Sequence, residues 1–458
     1  MKARKLNRAV HTILAASVLS LGACNITDQV LNVNNPEELN ENLLADPALV
    51  GVLVNGVIGD FQGMYSDPFV WRGSMFTDEQ VTGINWEQTA RLNQRVVQFD
   101  EGDADLMFSD ISRALSQADS VSGRLRGGLL ENPGSDIRLA TTLAYAGYSY
   151  IAMADAMCQA TINVGSTLYE PPSLYEFAVD RFQEALTVAQ AAPATARTPN
   201  GNSRDDLIQM IHVGLSRAHL NLGNDAEAQS AATNVSPGFY WWVEYNDSDN
   251  RTFNVLEARI TGANHALGVH PKFVAGGDFG VQGLEAELTD PRVQHEPRWE
   301  TGHNALTRLY KPKSGLMFSN YNGATFAEGG TPSTYERGTD IAMASYIEAM
   351  HNYYEAAGPS GSGPLGTTLE FVNSRRAVGN QDPVDLSGDA LMDELRDQRG
   401  RDLFMGGYRL GDLRRWLREG DNLFPQGPHV NELWGDYGDA TCYPLPKEEF
   451  EGNPNISR

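Results

Sequence analysis

Three stretches of the chain set aromatic rings beside amide, carboxylate and guanidinium side chains, a combination that suits carbohydrate. The C–H face of a sugar stacks on a flat apolar ring, and its hydroxyls need directional hydrogen-bond partners. The first stretch holds Trp71-Arg72 and Asn85-Trp86, with Arg91 nearby. The second is Phe239-Tyr240-Trp241-Trp242 followed by Asn246, and the third is Tyr310, Phe318 and Tyr321 with Asn320 and Asn322. The candidate ligand contacts are therefore Trp71, Arg72, Asn85, Trp86, Tyr240, Trp241, Trp242, Tyr310 and Tyr321. Any one aromatic residue taken alone is more often core than ligand site. Trp241 and Trp242 cannot both point inward on a strand, because successive side chains alternate faces, so one of them should be exposed.

No catalytic constellation accompanies these clusters. His265, His270, His295 and His303 lack zinc-ligand spacing and have no cysteine beside them. The sequence has no Gly-x-Ser-x-Gly elbow, phosphate loop or His-Glu-x-x-His. Carboxylate pairs such as Asp78-Glu79 leave a glycosidase dyad open, but acidic residues are so abundant that such pairs carry little weight. The expectation is a binding protein without cofactor or metal, with a calcium site unmarked either way.

Net charge narrows the partners. The chain carries 35 basic and 59 acidic residues, a formal charge of −24. That excludes nucleic acid, whose phosphates demand a basic surface, and electrostatic docking on anionic lipid. Basic residues do cluster at the N-terminus, where Lys2, Arg4, Lys5 and Arg8 precede a short apolar run, Ile13 to Leu21. This reads as an export signal over residues 1–23, ending in the lipobox Leu21-Gly22-Ala23-Cys24. Cys24 would carry the lipid, and 24–40 would be a polar tether. No later stretch approaches 18 uninterrupted apolar residues, so no other membrane crossing is expected. Of three cysteines, Cys158 and Cys442 remain, and in an exported protein they are expected to pair.

The elements that must position the aromatic clusters read as mainly helical. Helical spacing runs over 41–60, 104–125, 136–156, 173–191, 204–234, 338–357 and 365–378, and 63–85 reads as a loop. Leu143, Gly147 and Tyr150 have the spacing of a tetratricopeptide repeat's first helix, and Ala178, Phe182 and Ala185 the small-large-small spacing of its second. Such pairs are expected at about 136–235 and 338–416, with 157–172 an insertion between helices. Periodicity fails over 236–335, which reads as an irregular insertion with a small hairpin and a strand within Leu306 to Phe318. The stretch Gln398 to Trp416 reads as two helices joined at Gly406-Gly407, whose arginines pair with Asp402 and Asp412, on a plain reading at the surface. The tail from Phe424 is rich in proline.

The order of residues in that hairpin resembles the C-terminal signature of the SusD/RagB family of outer-membrane nutrient-binding lipoproteins, E-R-x-x-E-L-x-x-E-G-x-R-x-x-D-L-x-R-W. Arg399, Leu403, Gly407, Arg409, Asp412, Leu413, Arg415 and Trp416 fit, while Gln398, Asp402 and Gly406 stand where the family has Glu. Leu369, Val372, Asn373 and Arg376 resemble a late helix of the family, and Pro444, Pro446, Glu449 and Asn453-Pro454 its closing segment. The resemblance implies one α-helical domain over 41–458, a structural role for the hairpin, and ligand contacts from an early loop and the irregular insertion. It also implies a non-enzymatic lipoprotein on the outer membrane that passes oligosaccharide or peptide to a SusC-like TonB-dependent transporter, which the helical pairs contact. Two other readings stay open: a tetratricopeptide-type assembly scaffold that binds protein only, and a lipid-anchored glycoside hydrolase.

Overall fold

The computed structural model describes residues 46–84, 86–248, 252–260, 267–274, 290–293, 295–301, 308–312 and 337–457. The export signal, Cys24, the tether, Asn85 and Tyr321 lie outside the described residues, as does the side chain of Tyr310. The chain divides into two compact units, Met1–Leu49 and Val50–Arg458. In the first, Pro47–Leu49 is a single 3-10 turn.

The second unit opens with α1 (Val50–Met64), a wider helical turn (Tyr65–Val70) and α2 (Trp71–Met75). By length and composition Pro47–Met75 is apolar enough to cross a membrane. However, Asp60, Asp67 and Arg72 interrupt it, Asp67 is non-helical, and Leu53, Val54, Val57 and Phe61 are buried in the core. The expected loop at 63–85 is instead interior. Its aromatic and apolar residues fill the core, and it ends in strand β1 (Gln80–Thr82).

Then come α3 (Glu87–Asn93), α4 (Gly102–Arg124), α5 (Ile137–Ala156), α6 (Pro171–Ala191), α7 (Arg204–Leu222) and α8 (Asp225–Ala232). Every residue of α5 except Arg138 is buried, which explains its near-continuous apolar composition. Asp136 caps α5 by accepting from Arg138 N (2.9 Å). A Ser203–Asp206 capping box starts α7, and Gly223 at φ 73° ends it. The tetratricopeptide spacing has a physical core. Phe182 of α6 wedges between the glycines of its neighbours, so that a Cβ on Gly147 would stand 2.6 Å, and one on Gly214 2.4 Å, from its ring. Tyr148 meets the same ring edge-on at 5.1 Å.

The irregular insertion is built on two small sheets. Strand β2 (Tyr240–Val243) pairs antiparallel with β6 (Ile341–Ser345). Between them lie α9 (Val255–Ile260), β3 (Leu267–Val269), β4 (His295–Thr301) and β5 (Arg308–Pro312). The second sheet has the antiparallel order β1-β3-β5-β4 and joins the early segment to the insertion. The helix expected from 338 begins only at Tyr346, since 341–345 is strand β6; α10 (Tyr346–Ala357) is capped by Ser345 Oγ accepting from Glu348 N. Thereafter α11 (Thr368–Val378), α12 (Gly388–Asp402) and α13 (Arg409–Glu419) complete the late helices, and α14 (Lys447–Gly452) sits in the tail.

The α12–α13 hairpin is buried, not a surface ion-pair network. Asp402 accepts from Arg292 (3.0 Å) and Arg375 (2.8 Å), and lies 2.7 Å from His351 Nε2. Asp412 accepts from Arg399 (2.7 Å) and Arg415 (2.9 Å), and Arg415 continues to Glu355. Arg409 makes a two-pronged pair with Asp78, at 2.6 and 2.7 Å. Gly407, at φ 86°, lets the turn close onto Phe69 and Val70. Burial raises the Asp402 carboxyl, but Arg375 and Arg292 pull it well below the carboxylate range. Asp412 is likewise lowered by Arg399 and Arg415 against its burial.

The tail is fixed on α5. Cys158 N donates to Tyr443 O (2.9 Å), Tyr443 N donates to Ala156 O (2.9 Å), and Cys158 is disulfide-bonded to Cys442 with Cα atoms 5.1 Å apart. The chain from residue 24 onward carrying Cys24→Ser, denatured without reductant, should therefore titrate no free thiol; a count of two would disprove the pairing. Gly214→Ala tests the Phe182 wedge. Overpacking costs about 1–3 kcal/mol, and alanine's better helix propensity returns at most about 1 kcal/mol. Urea unfolding should show a net loss, and an unchanged midpoint would mean that Phe182 yields freely.

Candidate functional site

Antiparallel pairing of β1 with β3 sets Thr82 opposite Leu267. The segment leaving β1 and the segment entering β3 thus lie at the same end of the ladder. Trp86 follows Thr82 by four residues, and α9, carrying Arg259, precedes Leu267. There the Arg259 guanidinium lies over the Trp71 ring at 4.3 Å and the Trp86 ring at 5.7 Å. Arg72 lies over the Trp71 ring at 4.3 Å. The result is a stack of rings and guanidiniums whose most exposed ring, Trp86, is 46 % exposed.

Within the stack Trp71 and Arg72 are interior, contrary to a direct ligand role for either. Trp71 is the floor beneath Arg259, and its Nε1 is buried without a hydrogen-bond partner. Arg72 is occupied by Asp67 and by Asp103 (2.8 Å), and its carbonyl accepts from Tyr443 OH (2.9 Å). Arg91 pairs with Glu101 and, at 3.5 Å, with Glu87. Arg259 has no carboxylate partner among the described residues, and its Nε is buried and unsatisfied. Burial, then repulsion from Arg72, lowers its pKa.

The second aromatic cluster is separate. Trp241 is also interior: it is 1 % exposed, and its Nε1 donates to Tyr145 OH (3.3 Å). Tyr240 and Trp242 turn to the other face, half-buried, with rings stacked at 4.9 Å and 9°. The alternation of the strand separates the Trp241-Trp242 pair in this way. Asn246 braces its own loop, accepting from Ser248 N (3.1 Å) and Thr252 Oγ1 (3.0 Å). Of the third cluster, the backbone of Tyr310 lies in β5 opposite Val269 and Trp299. His270 is structural: its Nδ1 accepts from Lys272 N (3.2 Å), and burial pushes its pKa down to about 3.

Elsewhere, described residues line two further cavities. Helices α6, α7 and α8 leave an open groove of about 420 Å³ lined by Gln183, His212, Leu215, His219, Glu227 and Asn234, among others. Burial lowers both imidazoles, so they are uncharged at neutral pH. A polar depression of about 450 Å³ is lined by Arg95, Asn422, Gln426, Tyr437 and Asp439. The sequence reading named neither cavity. Among the described residues, no cluster of His, Cys, Asp or Glu has metal-binding geometry.

Two carboxyls with raised pKa lie away from the Trp86 cluster. Burial pushes Glu79 up to about 8 and Asp155 up to about 6, and both lie in the core, outside either cavity. Glu79 Oε1 accepts from Met405 N (2.8 Å), while Asp78 holds Arg409 and Lys272. Because the folded pKa of Glu79 is raised, its contribution to stability is complete below about 4.5 and is lost as pH rises through about 8. Glu79→Gln should remove a slope of up to about 1.4 kcal/mol per pH unit across that window. In urea titrations at pH 5 and pH 8, the variant should gain on wild type at the higher pH; equal pH profiles would show that Glu79 titrates normally.

No protein-family model matches the sequence, and no curated protein is similar to it. Solved structures do match. A SusD superfamily protein from Parabacteroides distasonis ATCC 8503 superposes with a TM-score of 0.63 at 14 % identity, covering 92 % of this chain and 99 % of its own. One from Bacteroides vulgatus ATCC 8482 gives 0.62 at 14 %, covering 90 % and 100 %. A SusD-like carbohydrate binding protein, also from Bacteroides vulgatus ATCC 8482, gives 0.60 at 13 %, covering 90 % and 97 %. The chain has the mainly helical fold of the SusD superfamily.

Proposed function

We propose that this chain is a nutrient-binding lipoprotein of the outer membrane that captures an oligosaccharide and delivers it to a SusC-like TonB-dependent transporter. The observation that carries the reading is the Trp86 ring, 46 % exposed and backed by Arg259, at the junction of the early segment and the irregular insertion. An exposed ring held flat by a cation presents the apolar face a sugar stacks on. One protein of similar fold is described as carbohydrate binding. Cys24 would hold the chain on the membrane, and the groove on α6–α8 would meet the transporter. Tyr240, Trp242, Tyr310, Asn85 and Tyr321 remain candidate contacts.

The groove also supports a second reading, in which the helical pairs bind protein alone. Tryptophan fluorescence separates the two. Titration of the mature chain carrying Cys24→Ser with a panel of oligosaccharides and peptides should give a saturable change with a glycan. Trp86→Ala should abolish that change and leave folding intact, whereas Trp241→Ala should lower stability by about 3–5 kcal/mol. Silence with every glycan and peptide would favour the protein-only scaffold. Saturation with peptides alone would replace the oligosaccharide by a peptide.

A further inference from the structure

We infer that the Trp86–Arg259 stack selects an acidic saccharide, one whose sugar units bear carboxylates. The inference rests on the capture reading above and concerns which glycan the same site takes. Its basis is the pairing state of the guanidiniums around the stack. Arg72 is neutralised by Asp67 and Asp103, and Arg91 by Glu87 and Glu101. Arg259 stands between two tryptophans, half-buried, with no carboxylate partner among the described residues.

That state is unfavourable for the free protein. A guanidinium half removed from water needs its buried donor satisfied, and the Nε of Arg259 is buried and unpaired. Contact with the indole rings offsets part of that cost, and the neighbouring Arg72 charge works against it. The chain has 59 acidic residues with which to pair this arginine, yet none of those described does so. A ligand carboxylate would supply the missing partner, since a planar guanidinium binds a carboxylate through two parallel hydrogen bonds. The adjacent Trp86 face would take the C–H surface of the same sugar unit. A neutral sugar could use the ring but would leave the charge uncompensated, which sets the direction of the preference.

The test compares a uronic-acid oligosaccharide with its methyl ester by calorimetry on the mature chain carrying Cys24→Ser. The two ligands share every ring face and differ in charge. The acid should bind at least about tenfold tighter than the ester, and that advantage should shrink as sodium chloride is raised. Arg259→Gln should bring the acid down to the affinity of the ester, while Trp86→Ala should weaken both. Arg259→Lys guards against a folding defect: it should retain a reduced, salt-sensitive preference with an unchanged thermal transition. Equal binding of acid and ester by the wild type, or an acid preference that survives Arg259→Gln, would overturn the inference and leave oligosaccharide capture standing. Absence of binding to either ligand and to neutral oligosaccharides would overturn capture as well.

Discussion

The pairing of Arg409 with Asp78 is the constraint on which the site depends. It joins residues 331 apart in sequence, and both groups are buried. Asp78 lies two residues before β1, so anchoring its carboxylate fixes where that strand begins. The strand fixes the register of β3, and the register brings Trp86 to Arg259. Lys272, just after β3, pairs with the same Asp78 and closes the loop of constraints from the other side. A buried ion pair is weak evidence of net stability, because desolvation consumes much of the Coulomb gain. Removing one partner is another matter and typically costs about 3–5 kcal/mol, since the other is left charged in the interior. The network around Asp402, Asp412 and Asp78 therefore specifies one arrangement of distant segments more than it adds to their attraction.

This accounts for what the sequence did and did not disclose. The hairpin of Gln398 to Trp416 was legible because its requirements are local. Two helices need a left-handed turn, and Gly407, at φ 86°, supplies one. The spacing of Gly147 and Phe182 in the helical pairs was legible for the same reason, since it reports a steric fit that periodicity can express, whereas Gly214, which meets the same ring, was not singled out. Burial of the network was not legible. An arginine beside an aspartate reads alike at the surface and in the core, and only the partners from other segments, Arg292, Glu355 and Asp78, decide between them.

The candidate site was legible by cluster and illegible by residue. Trp71 and Trp241 have the same composition around them as Trp86 and Trp242, but they face the interior. For Trp241 the cause is β6. The strand at Ile341–Ser345, which has helical composition, pairs with β2 and sets Trp241 opposite Ala344 and toward Tyr145. For Trp71 the cause is the short helix α2, which turns the ring under Arg259. Arg259 was missed because nothing adjacent to it in sequence marks it. Its significance comes from the β1–β3 register and from the carboxylates it lacks.

An uncompensated arginine in so acidic a protein raises a question of range. The field of a −24 chain opposes the approach of an anion. At physiological ionic strength, however, that field decays over about 8 Å, whereas a contact sheltered by two indoles is screened far less. The distant carboxylates then lower the rate of encounter while the contact governs the rate of departure, so selectivity resides at Arg259 rather than in the overall charge. The same reasoning explains why the stack can hold a bare charge at all. Arg72, also in contact with the Trp71 ring, has its own carboxylates within contact and so contributes only a damped repulsion. Two cations share one ring: Arg72 is neutralised by the fold, and Arg259 stays open to whatever covers Trp86.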